Sequence, residues 1–452
     1  MFGLAVRSLR KRAGGFAASF VAMFLGATMV MAFGAMQDTA ISSDATGAAE
    51  ETLVTMSIVV GGWGSALVIL AVSSTLALSV RQRAEEMALL KSVGATPAQI
   101  GRMVVGEATG LALVAWLLAI GPGLLGGAAL LSLLHSTDQV PESVPYAFGP
   151  VALGIGLTLT LVSAVASAII AVTRTARAAV MQSLADASVG RTRMSRKRVA
   201  FGIVFLLLGL NLAVVTATVM KDEGMDAMAT AGQADIMASL GLALLAPWLI
   251  RWAAGVLSRP LELLFGVAGE LAVSTLRRRT AQMASVLMPI ILFTGVATGS
   301  LYLQQIENDA TAAAGLVSTV EQKNIATLNF VVIGMILLFT AVILVNTLLA
   351  ATAYRRGEFG RQRLVGATRG QVVGAVALEA AVLIGLGLVC GVVAAMFTVV
   401  PFSVARADAL VPDIGPLVFV AVALIATALT AVTAITAAHR AAKISPVEAA
   451  SL

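Results

Sequence analysis

A helix needs roughly 20 consecutive apolar residues to cross a bilayer, and this chain carries such runs almost end to end. Ten stand out, at about 14–36, 53–80, 103–134, 147–172, 199–220, 234–252, 282–303, 325–353, 373–403 and 417–438. Only 12% of the 452 residues are charged and 59% are hydrophobic, against about 25% charged in an ordinary soluble domain. The pattern predicts an all-α polytopic membrane protein of about ten transmembrane helices, with lipid as its main solvent. Several runs exceed the minimum, so tilting or extension beyond the bilayer is expected. Gly- and Pro-containing stretches such as "AIGPGLLGG" (119–127) allow close helix packing or local breaks.

Charge orients the spans. With ten crossings both termini share one side, and placing them in the cytoplasm leaves only Lys221, Lys323 and Arg406 of the 30 Lys and Arg outside. Fifteen of the 24 Asp and Glu then fall outside, many in "KDEGMDAMATAGQAD" (221–235). The net charge of +6 thus reflects the positive-inside rule and not nucleic-acid binding. The run "RTRMSRKR" (191–198) reads as a topology anchor, with anionic headgroups as the other reading.

The chain repeats itself. "LAVRSLRKR" (4–12) shares six of nine positions with "LAVSTLRRR" (271–279). "RAEEMALLKSVGATPAQIGRMVVGE" (83–107) shares nine of 25 with "RRGEFGRQRLVGATRGQVVGAVALE" (355–379), without a gap. Residues 1–190 and 267–452 therefore read as two four-span units, with 191–266 supplying two extra spans between them. An even number of crossings separates the units, so the repeats are expected to be parallel. The basic, apolar start mimics a signal peptide. Its match to an internal span at 282–303 instead predicts that it belongs to the mature fold.

The best-kept part of the repeat is a small turn, "VGATPAQI" (93–100) and "VGATRGQV" (365–372). Thr96 and Gln99, like Thr368 and Gln371, have the spacing of a capping box. Pro97 suits a first helical position, and Gly94 and Gly366 suit a left-handed helix stop. The expected form is a long helix, a sharp glycine stop and a capped new helix at the cytoplasmic face. Two readings fit: a rigid knob for a soluble partner, or a helix end kept soluble.

These segments resemble the signature of the FtsX-like permease family, membrane subunits of ABC transporters that include MacB-type and bacitracin-resistance-type members. The ten-span layout is similar to the bacitracin-resistance type, but the loops at 37–52 and 304–324 are too short for that type's large external domain. The resemblance implies two parallel four-helix FtsX-like units joined by two extra helices. It implies ATPase coupling by Arg83, Glu86, Gly94, Ala95, Thr96 and Gln99, and again by Arg355, Glu358, Gly366, Ala367, Thr368 and Gln371. Arg10, Arg12, Arg277 and Arg279 correspond to the family's interfacial elbow helices. The implied partner is a cytoplasmic ABC ATPase, expected as a homodimer holding ATP and Mg, beside membrane lipids. The implied location is the bacterial cytoplasmic membrane.

Other chemistry finds little support. No G-x-x-x-x-G-K-[ST] loop occurs, so no cofactor is expected in this chain and ATP hydrolysis belongs to a separate subunit. One Cys and two His predict no zinc site. No Ser has a base arranged beside it in the sequence, so an enzyme is not expected. Glu107 and Glu379 occupy equivalent places early in the third span of each unit. Gating or coupling and anchoring at the interface are both open to them. The functional reading is a permease that couples ATP hydrolysis to export or extraction of an amphipathic, lipid-like or peptide substrate. One alternative is a mechanical regulator of an extracytoplasmic enzyme. Another is a secondary transporter, which requires acidic residues near mid-membrane; apart from shallow Glu107 and Glu379 none is found there.

Overall fold

The structure, a computed structural model, describes residues 13–43, 46–60, 89–90, 92–185, 196–221, 225–313, 356–410 and 415–443, with scattered positions in 69–76, in 327–348 and at 412. Among the described residues every regular element is a helix. Seven helices are long and apolar enough to cross a membrane, or eight when one bent pair counts as a span. Eight of the ten expected spans correspond to these; most of 53–80 and 325–353 lies outside the described residues. The chain divides into two compact units, Met1–Thr192 with Ser318–Met335, and Arg193–Val317 with Ile336–Leu452.

The first unit contains α1 (Ala13–Ser42), α2 (Ala48–Thr55), a π-helical segment Met56–Val60, α3 (Pro97–Ser136) and α4 (Pro150–Ala185). At 40 residues, α3 is about 60 Å long, twice the hydrocarbon thickness of about 30 Å. It therefore projects well beyond the lipid. The glycines of 119–127 produce close packing and no break: a Cβ on Gly123 would lie 3.0 Å from the Met31 Cβ, and one on Gly126 3.3 Å from the Ala32 Cβ. Small residues let α1 and α3 approach where lipid offers no hydrophobic drive. At the end of α1 the buried Asp38 carboxylate accepts from the backbone N–H groups of Gly149 (2.9 Å), Val151 (3.1 Å) and Ala152 (2.8 Å). It caps α4, satisfying donors that a helix start leaves open and meeting the positive end of its dipole.

The second unit contains α5 (Arg196–Thr218), α6 (Met225–Leu244), α7 (Ala246–Val256), α8 (Ser258–Arg278), α9 (Thr280–Ala313), α10 (Arg356–Leu364), α11 (Arg369–Ala407) and α12 (Leu417–Lys443). Its centre is α9, with 78% of its apolar stretch buried; α5 and α12 bury 22% of theirs and turn residues such as Phe201, Leu207 and Leu424 outward. Glycines again set the closest contacts. A Cβ on Gly209 would lie 3.0 Å from the Ala234 carbonyl, and one on Gly241 2.9 Å from the Gly202 carbonyl. At one end Glu307 accepts two 2.8 Å bonds from Arg406, and Lys221 lies 2.6 Å from Asp408. Two of the three cations expected outside thus meet acids expected on the same side.

The span expected at 234–252 is corrected. The helix begins at Met225 and bends by 63° at Leu245. Residues 225–234 had read as acidic loop, yet Ala227, Ala231, Ala234 and Ala238 form one buried stripe, and alanine favours helix most. The bend has two visible causes. Pro247 has no N–H for the preceding turn, and Arg198 Nε donates to the Leu244 carbonyl at 2.9 Å. The elbow expected at 271–279 is the last part of a longer helix, α8, interrupted at Gly266 (φ 52°). The acidic loop expected at 304–324 also shortens, since α9 runs to Ala313.

Candidate functional site: the two capped turns

Each turn is built by the same short list of bonds. In the first, Ala95 N–H donates to the Leu90 carbonyl at 2.9 Å and Gly94 has φ 98°. In the second, Ala367 N–H donates to the Gln362 carbonyl at 3.0 Å and Gly366 has φ 109°. This is a six-residue helix stop with glycine in a region that side chains disfavour. A new helix then starts at once. Gln99 N–H donates to Thr96 Oγ1 (3.3 Å) while Gln99 Oε1 accepts from Thr96 N–H (2.9 Å). The second copy repeats this with Gln371 and Thr368 at 3.2 and 2.8 Å. Both capping boxes and the proline start of α3 match the reading of the spacing.

The tip of each turn is apolar. Val93 is 88% exposed and Val365 90% exposed. Leu89 and Leu364 beside them are exposed as well. The capping bonds do not account for an exposed valine at the tip of each turn. Sequence reasoning passed over these valines. The available signal was their inclusion in the repeated V-G-A-T string, which capping chemistry does not require. In the second unit Phe359, 2% exposed, roots α10 in the core that α9 and α11 share. A hollow of about 530 Å³ lies beside this turn, lined by Val267, Leu271, Arg361, Val365, Ala367 and Gln371.

The remaining candidates are placed as follows. Arg83, Glu86, Arg355, Arg10 and Arg12 lie outside the described residues, and Glu358 is described only as part of α10. Glu107 in α3 and Glu379 in α11 are buried, at 1% and 3% exposure, and both are engaged by neighbours. Arg277 Nη2 donates to the Ala254 carbonyl at 3.2 Å and Arg279 Nη1 to Gln282 Oε1 at 3.3 Å. The first bond ties the elbow to α7. Cys390 is buried in the α9–α11 core. Among the described residues no cluster of His, Cys, Asp and Glu could hold a metal.

The expectation of no further acid well inside a span is also corrected. Asp235, read at the edge between the loop 221–235 and the span 234–252, lies near the middle of α6 and is 1% exposed.

A multi-pass helical membrane protein with the same capped turn in each unit is thus defined. The sequence profile described as FtsX-like permease C-terminal matches it twice, at residues 56–179 and 330–446, over half of the chain. The chain belongs to the FtsX-like permease family. Members are membrane permease components of ABC-type transport systems, generally non-enzymatic, and normally work with a cytoplasmic ABC ATPase. No individual curated protein matches the sequence significantly.

Proposed function

We propose that this protein is the permease subunit of an ATP-driven transporter in a bacterial cytoplasmic membrane, and that its two capped turns receive the stroke of a separate ATPase dimer. The carrying observation is the recurrence of one rigid turn with an exposed valine at its tip, Val93 and Val365. Each turn opens a helix of 40 or 39 residues that runs into the apolar region. A displacement at Thr96 or Thr368 is therefore passed along the helical turns that precede Pro122 in α3 or Pro401 in α11. Arg83, Glu86, Arg355 and Glu358 would flank the turns as ion-pairing contacts, with both termini on the ATPase side. ATP and Mg would be held by the partner. The long apolar helices suit an amphipathic, lipid-like or peptide cargo taken from the bilayer.

The test is co-purification from detergent with the cognate ABC ATPase. The wild type should retain it, and the Val93→Asp/Val365→Asp double variant should lose it. Both sites are exposed, so neither change should cost more than about 0.5 kcal/mol of stability. Equal retention by the double variant would reduce the turns to helix stops.

A further inference from the structure

Asp235 lies on α6, away from both capped turns, and its setting is specific. Ser239 Oγ, one turn along α6, donates to Asp235 Oδ1 at 3.1 Å. Oδ2 is buried and has no hydrogen-bond partner. Two glycines of α9, also one turn apart, receive this pair: a Cβ on Gly295 would overlap Ser239 Oγ, and one on Gly299 would overlap Asp235 Oδ2. The Thr298 hydroxyl beside Gly299 is likewise buried without a partner.

The depth follows from the neighbours. Gly209, at the middle of α5, packs on Ala234 and Ala238, which bracket Asp235. Gly299 is near the middle of α9. The carboxyl is thus level with the centres of two apolar helices. The charged groups on the helices packed against α6 lie elsewhere among the described residues. On α5 they are Arg196, Lys197 and Arg198, at its first turn. On α9 they are Glu307, bound to Arg406 of α11, and Asp309, both two turns or more beyond Gly299. Arg369 and Glu379 belong to the opposite half of α11, and Arg251 lies on α7 past the bend.

Among the described residues no cation or N–H meets Oδ2, and an ionised carboxylate so placed is costly in lipid. The backbone of Gly299 leaves no room there for a metal ion or an ammonium group. What fits is a hydrogen atom. We propose that Asp235 is an intramembrane proton-binding site. Its carboxylate takes one proton from water to become the neutral acid as α6 seats on α9, and returns that proton to water when the two helices part. Separation of α6 from α9 is then proton-coupled, whatever drives it, so this site stands independently of the ATPase reading.

Infrared spectroscopy of the full chain in lipid nanodiscs tests it, with and without carboxyl-13C aspartate. The expected result near neutral pH is a protonated-carboxyl band that shifts with the label and is lost in Asp235→Asn. That substitution keeps the shape and the Ser239 contact. A band that persists in Asp235→Asn belongs to another aspartate and overturns the proposal. So does a labelled wild type with no protonated-carboxyl band, a result that needs no variant to fold.

Discussion

Two buried aspartates of this chain show how little the residue type alone decides. Asp38 meets three backbone N–H groups at the start of α4, whereas Asp235 meets one hydroxyl and a glycine backbone. Hydrogen bonds to a charged group contribute about 1.5–3 kcal/mol each, so Asp38→Ala should lower the melting temperature of the purified protein clearly. Tyr146, whose hydroxyl donates to the Leu124 carbonyl at 2.8 Å, shares this site. Burial first, and the Asp38 charge second, push its phenol from 10.0 up to about 12. Its neutral form is thus the one the fold favours. Its contribution to stability is full below pH 10 and is lost as pH rises toward 12, which absorbance titration of the phenolate against thermal melts can follow. Gly299→Ala should destabilise by about 1–3 kcal/mol through overpacking on Asp235. Gly385→Ala, with nothing within 4 Å of the added Cβ, should be neutral or slightly stabilising.

At the scale of elements, the turns are legible and the bend is not. T-x-x-Q after V-G-A specifies a stop and a start from local bonds alone, and both copies form as that chemistry requires. Thr96→Ala or Thr368→Ala should each cost about 1 kcal/mol of local stability, visible as faster amide exchange in the first turn of α3 or α11 only. The bend between α6 and α7 depends on Arg198, 46 residues earlier in the chain, reaching the Leu244 carbonyl. No window of sequence around Pro247 contains that partner. The start of α6 was misread for a related reason. An acid within an alanine-rich stretch looks like loop until the glycine face opposite it is known.

At the scale of the molecule, the proposed function and the duplicated turn together imply that one chain would offer two contacts to an ATPase. Val93→Asp and Val365→Asp alone should then each weaken co-purification, and the double variant should abolish it. If one single variant equals the double, one turn carries the docking. Glu107 and Glu379, expected to be shallow, are both buried. Burial by itself leaves gating and anchoring equally open, so transport assays of Glu107→Gln and Glu379→Gln decide between them.

The sequence by itself determined the solvent, the helical class, the repeat and the two turns. Each rests on local rules: apolar run length, charge asymmetry, and capping bonds between residues three apart. Tertiary structure decided which valines stand exposed, which carbonyl Arg198 takes, and that Asp235 is sealed against Gly299. These depend on which helix face meets which, and in a chain apolar on nearly every face the sequence pattern carries no record of that choice. The contacts are set instead by where small residues allow two backbones to approach.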